Sequence, residues 1–152
     1  LQGLWVSLCS MCALTAISSN TGVVINGLFY LGLGLFLYGF ITEVIADKQK
    51  SAFRAIPENT DKFITTGLWA KSRHPNFFGE IVLWTGIAVM SISSLQGLQY
   101  LTLISPIFTY LLLVYVSGVR MLEARADKKW EHDDEYAKYK RETPVLMIKY
   151  WN

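Results

Sequence analysis

GLWAKSRHPNFFGEIVLWTG, residues 67–86, is a compact polar cluster that runs straight into an apolar segment. Lys71, Arg73, His74, Asn76 and Glu80 crowd around Pro75, and from Ile81 onward the chain turns apolar. Pro75 has no N–H to donate, so it suits the first turn of a helix, where the remaining unpaired N–H groups form an anion site. Arg73 and His74 stand beside that site. Glu80 lies four residues past Asn76, on the same helical face, and is a carboxylate entering an apolar helix.

Outward from this stretch, charge is strongly segregated. Residues 1–42 carry no Asp, Glu, Lys or Arg, and all fourteen basic and twelve acidic residues fall in two blocks, Glu43 to Glu80 and Arg120 to Lys149. A charge at the centre of a membrane helix costs about 2.5–3.5 kcal/mol, so this segregation predicts a chain whose solvent is the bilayer. A hydrophobic content of 52% and a mean hydropathy of +0.30 agree. The net charge of +2 makes no case for a nucleic-acid partner.

The fold expected is all-α: a polytopic transmembrane bundle of three to four membrane helices with a charged amphipathic C-terminal tail, forming one domain over 1–152. Residues 1–45 supply two apolar helices. The first, Leu4 to Ser18, is short of the roughly twenty residues a crossing needs, whereas Val23 to Ile45 crosses comfortably. Gly27, Gly32, Gly34 and Gly39 are expected to permit close helix packing. Residues 46–74 form a polar, cofactor-side loop that follows a helix end carrying Glu43, Asp47, Lys50 and Arg54 on one face. Residues 75–121 form two membrane helices, Pro75 to Ser93 and Gln99 to Met121, the second kinked at Pro106. Residues 122–152 are the tail, with Trp130, Tyr136, Tyr139 and Val145 to Ile148 as apolar anchors. The linker between the last two helices is uncharged, so both basic blocks share one side, the cytoplasmic one. Trp69, Tyr136, Tyr139, Tyr150 and Trp151 are candidates for the interfacial aromatic belt.

Cys9 and Cys12 form a C-x-x-C inside an apolar run, and zinc would require further ligands, so they read as small packing residues and no metal site is expected. His132 reads as solvated. Leu1 in place of methionine, and the absence of a basic flank from Leu1 to Ser19, predict a truncated or processed chain.

The run SRHPNFFGE followed by Trp-Thr-Gly resembles the signature of the DUF1295 branch of the steroid 5-alpha-reductase family. The likeness extends through Ser117-Gly118 and Leu122-Glu123. It continues in Arg125-Ala126-Asp127 to Trp130, Asp134, Tyr136, Tyr139 and Thr143-Pro144. It implies a multi-pass membrane reductase that uses NADPH, takes a lipid-like or sterol enone and sits in the endoplasmic reticulum or an organellar inner membrane. The cofactor-binding residues it implies are Asp47, Arg54, Trp69, Arg73, His74, Asn76, Phe77, Glu80, Glu123, Arg125 and Tyr136. For His74 and Asn76, helix capping is the alternative role. In that family the acid that serves the enolate oxygen sits in earlier membrane helices, so no catalytic residue is assigned. There is no GxGxxG, so the cofactor has to lie among helix ends rather than on a Rossmann domain.

Two alternatives stand beside the reductase. A related branch, the isoprenylcysteine carboxyl and phospholipid methyltransferases, shares the Arg-His-Pro turn and tail but binds S-adenosylmethionine. The other is a non-catalytic family member without cofactor, an accessory subunit of a larger membrane complex. The expected partners are membrane lipids, a hydrophobic small-molecule substrate and, in the accessory reading, other subunits.

Overall fold

The computed structural model describes residues 2–116 and 118–149, with side chains from Val6 onward. Ser117, Tyr150 and Trp151, singled out above, lie outside the described residues. Every regular element described is helical: α1 (Gln2–Ser18), α2 (Gly27–Arg54), α3 (Pro75–Ser91), α4 (Ser105–Leu111), α5 (Val119–Lys129) and α6 (Asp134–Glu142), joined by short 3₁₀ and π segments. Three stretches are long and apolar enough to cross a membrane, Gly27–Arg54, Pro75–Ser94 and Gly97–Lys129. The chain is therefore a membrane protein with an all-helical bundle. The apolar helix Val6–Ser18 is shorter.

The α2–α3 pair forms the central seam of the bundle. Lipid tails are as apolar as leucine, so membrane helices gain from close packing rather than from burial alone. Gly32 and Gly39 on α2 face Gly86 and Gly79 on α3 so closely that side chains would collide with backbone. A Cβ on Gly39 would lie 2.5 Å from the Gly79 carbonyl oxygen, and one on Gly86 2.5 Å from the Phe36 nitrogen. Gly27 and Gly34, expected to pack as well, face open space instead. Gly32 and Gly39, seven residues apart, share the face toward α3, whereas Gly27 and Gly34 share another about 140° around the helix.

α2 begins at Gly27 rather than Val23, because Asn26 caps it by accepting from the Phe29 N–H at 3.1 Å. Across the membrane from the polar cluster, this cap is pinned to the end of α3. Asn26 Nδ2 donates to Ser93 Oγ at 2.7 Å, and the Val24 N–H donates to Ser94 Oγ at 2.9 Å. At its other end α2 runs on to Arg54, so the expected 46–74 loop is helical over its first part.

The last membrane stretch departs from the single kinked helix expected. It is 3₁₀ over Gly97–Ile104, α over Ser105–Leu111 and π over Leu112–Val116, then α again in α5. Pro106 sits in the first turn of α4, where the 3₁₀ segment passes into the α-helix. The π turn is shaped by Gly118, whose close approach to the Leu113 carbonyl leaves no room for a Cβ. α1 packs on α3 and α4 through small groups: Ser105 Oγ donates to the Cys9 carbonyl, and Thr109 Oγ1 donates to Cys9 Sγ at 3.1 Å. Cys9 and Cys12 are both buried there.

A cleft at the membrane boundary

Where α3 enters the membrane, the two charged blocks of the sequence meet. Arg73 Nη1 donates to Glu123 Oε2 at 2.6 Å, and His74 Nε2 lies 2.8 Å from Glu123 Oε1. The Glu123 carboxylate only accepts, so the His74 proton sits on Nε2. Lys140 Nζ stands 3.7 Å from Glu123 and also pairs with Asp127. His74 occupies the cap position of α3, yet its ring makes no capping bond because it is committed to Glu123 and stacks on Phe77, centroids 5.7 Å apart. The capping role considered for it is not the one it has.

α6 closes the far wall. Asp133 caps it, accepting from the Glu135 and Tyr136 N–H groups, while Lys140 and Arg141 in its last turn complement the helix dipole. It carries Tyr136 and Tyr139 inward. Tyr136 donates to Asp127 at 3.1 Å, and Tyr139 donates to the Trp69 carbonyl at 2.6 Å. Burial, then the bond to Asp127, pushes the Tyr136 hydroxyl above its ordinary range; burial pushes that of Tyr139 up to about 12. Phe63 lies against Trp130, Tyr136 and Tyr139 at centroid distances of 5.3–5.5 Å. Trp69 donates its indole N–H to the Ala46 carbonyl at 3.0 Å and lies 5.3 Å beneath the Lys50 ammonium.

Together these groups surround a cleft of about 640 Å³, within the size range of small-molecule and cofactor sites. Six basic side chains line it: Lys50, Arg54, Lys62, Arg73, Arg125 and Lys129. Against them stands one carboxylate among the described lining residues, Glu123. The rest of the wall is largely aromatic, from Phe53, Phe63, Trp69, Trp130, Tyr136 and Tyr139.

Of the residues expected to bind a cofactor, Arg54, Trp69, Arg73, His74, Glu123, Arg125 and Tyr136 line this cleft. Asp47, Asn76, Phe77 and Glu80 do not. The seam explains the last three. Gly79 and Gly86 must face α2, and at about 100° per residue that turns positions 76 and 80 to the flank of α3 and Phe77 toward Gly118. Asn76 Oδ1 is left buried without a hydrogen-bond partner. Asp47 is exposed, while Trp69 occupies the space beside α2 at the level of residues 46–50. On the α2 stripe it is thus Lys50 and Arg54 that reach the cleft. Phe63, Lys62, Lys129, Trp130 and Tyr139 were not anticipated as lining residues. The i, i+3 pair Tyr136 and Tyr139 on one amphipathic helix was the available signal.

The family described as "Protein of unknown function (DUF1295)" matches residues 1–143. The chain belongs to the DUF1295 family. A curated relative, the "Probable O-methyltransferase ustE" of Ustilaginoidea virens, is 30% identical over 92 residues, 59% of this chain. The chain spans about a third of that relative's length, 32%. No solved structure matches significantly.

Proposed function

We propose that this DUF1295 chain is the cofactor-binding part of a membrane-embedded, NADPH-dependent reductase that acts on a lipid-like or sterol enone. The observation that carries this reading is the charge of the cleft, six cations against one lining carboxylate, with Arg73 paired to Glu123 and Lys129 to Asp61 and the other four in no ion pair among the described residues. A dinucleotide with a pyrophosphate and a 2'-phosphate needs such a surface, and arginine forks match phosphate oxygens. The residues fit the group. Arg73 is nine-tenths buried, and its Nε has no hydrogen-bond partner. Arg54 and Arg125 are exposed on the rim, where they can reach phosphates, while Phe63, Trp69 and Trp130 offer faces on which the adenine and nicotinamide rings can stack. When bound, NADPH would supply the hydride for reduction of the conjugated carbon–carbon double bond, the matching proton coming from an acid that the described residues do not identify. The chain's own part is to fix the nucleotide: Glu123 holds Arg73 and His74 in place, and the aromatic wall excludes water from one side.

A second reading, an S-adenosylmethionine-dependent methyltransferase, is favoured by the name of the Ustilaginoidea virens relative. S-adenosylmethionine carries no phosphate and does carry a sulfonium and an ammonium, so a cleft this basic is poorly matched to it. Thermal melting of the detergent-solubilised protein separates the readings, because a ligand that binds the native state raises the midpoint. NADPH is expected to stabilise by about 2.7 kcal/mol at a hundredfold excess over its dissociation constant. NADH should act more weakly, and the NADPH effect should vanish in the Arg54→Gln/Arg125→Gln protein. Stabilisation by S-adenosylmethionine alone replaces the reductase with the methyltransferase. No response to any of these ligands favours the non-catalytic accessory reading.

A further inference from the structure

Beyond the cleft, on the other side of Arg73, lies a second cavity of about 510 Å³. Its floor is a strap, residues 144–149, tied to the entry of α3. The Arg73 N–H donates to the Pro144 carbonyl at 2.9 Å, the His74 N–H to Val145 at 3.1 Å, and the Lys149 N–H to Lys71 at 3.0 Å. Ser72 Oγ donates to the Leu146 carbonyl at 2.8 Å. Pro75 opens a membrane span, so the strap runs at the level where the chain enters the bilayer.

The cavity is built of two materials. Arg73, Lys140, Arg141 and Lys149 supply four cations, against Glu142 as the acid among the described lining residues. Val145 and Met147 supply an exposed apolar edge, Met147 at 70% relative exposure, while Ile148 is buried and anchors the strap. Among the described residues Arg141 and Lys149 form no ion pair, and Arg73, paired with Glu123 through Nη1, keeps a buried, unpartnered Nε. Two cations without an ion pair among the described residues, Arg141 and Lys149, beside exposed apolar side chains at a membrane boundary complement one kind of molecule, a phosphate with acyl chains attached.

We propose that this groove is a binding site for an anionic phospholipid, its phosphate held by Arg141 and Lys149 and its glycerol and upper acyl carbons lying against Val145 and Met147. The site is independent of which cofactor fills the cleft. Arg73 belongs to both cavities, and Lys140 joins the groove to the Glu123–Asp127 pair, so a lipid seated here adjoins the wall that holds the nucleotide.

The test uses the whole chain in mild detergent, titrated with phosphatidylglycerol or phosphatidylcholine, with retained lipid counted by native mass spectrometry. Phosphatidylglycerol is expected to be retained in preference to phosphatidylcholine. Each basic residue near an anionic surface strengthens association about fivefold, so Arg141→Gln/Lys149→Gln should weaken retention about 30-fold. The same double variant should keep any response to NADPH, since neither side chain lines the cleft; failure of the lipid site and failure of the cofactor reading are thereby distinct. Met147→Ser should weaken phosphatidylglycerol further while leaving inorganic phosphate unaffected. Equal retention of both lipids, or full retention of phosphatidylglycerol by the double variant, overturns the proposal. Displacement of the lipid by inorganic phosphate at equal concentration also overturns it, because the groove would then take a free anion.

Discussion

The glycine seam between α2 and α3 and the cleft beside it are assembled by opposite means. In the seam, side chains are removed so that backbones touch, and the tolerance is set by atoms that cannot move. In the cleft, long side chains reach across gaps and meet through hydrogen bonds, so loss of one group leaves its partners in place but unsatisfied. The contrast follows from the surrounding solvent. Apolar lipid gives helices little reason to associate except through fit, whereas water at the boundary makes fixed polar contacts the specific ones.

Breaking the seam should have the largest effect. Gly39→Leu places side-chain atoms where Gly79 and Leu83 backbone already stand, and is expected to cost about 3 kcal/mol or more. Gly34→Leu, on the same helix but with open space before it, should leave the melting midpoint nearly unchanged. Equal effects from the two would show that the seam is not what holds α2.

In the cleft, Glu123→Gln removes the charge that Arg73, His74 and Lys140 share. It should cost about 1.5–3 kcal/mol, measured by chemical unfolding in detergent. The loss should shrink when Arg73→Gln is combined with it, since a double-mutant cycle isolates the pair.

The smallest effect belongs to Tyr139→Phe, about 1 kcal/mol, through loss of the bond to the Trp69 carbonyl. It carries a pH signature. The folded hydroxyl titrates near 12 against about 10 when unfolded, so its contribution is complete below about pH 10 and is lost as pH rises toward 12. Melting curves of the wild type should decline more steeply over that window than those of Tyr139→Phe.

The two regions also differed in how far the sequence disclosed them. The spans α2 and α3 were legible, because uninterrupted apolar runs of membrane length have few other solutions. Arg73 and Glu123 were legible as residues through the resemblance, but their meeting was not, since fifty residues separate them and no local period links the two. The stripe on α2 showed which residues share a face without showing how far along that face a neighbour rises. Trp69 fills one level of it, and so Lys50 reaches the cleft where Asp47 does not. The rotation of α3 was implicit in Gly79 and Gly86, yet it could be read only once α2 was known to be their partner. The π turn after Leu111 follows from a steric demand at Gly118 that composition does not reveal.

The order in which the cleft is made has its own consequence. Arg73 and Ser72 leave the ribosome 50 and 74 residues ahead of the groups that bind them, Glu123 and Leu146. At about 5–20 residues per second, the earlier pair of membrane helices waits roughly 4 to 15 seconds for the strap. For the first roughly 2.5 to 10 seconds of that interval a guanidinium and an imidazole stand at the bilayer surface without their carboxylate. The newborn protein can be embedded well before its cleft is complete.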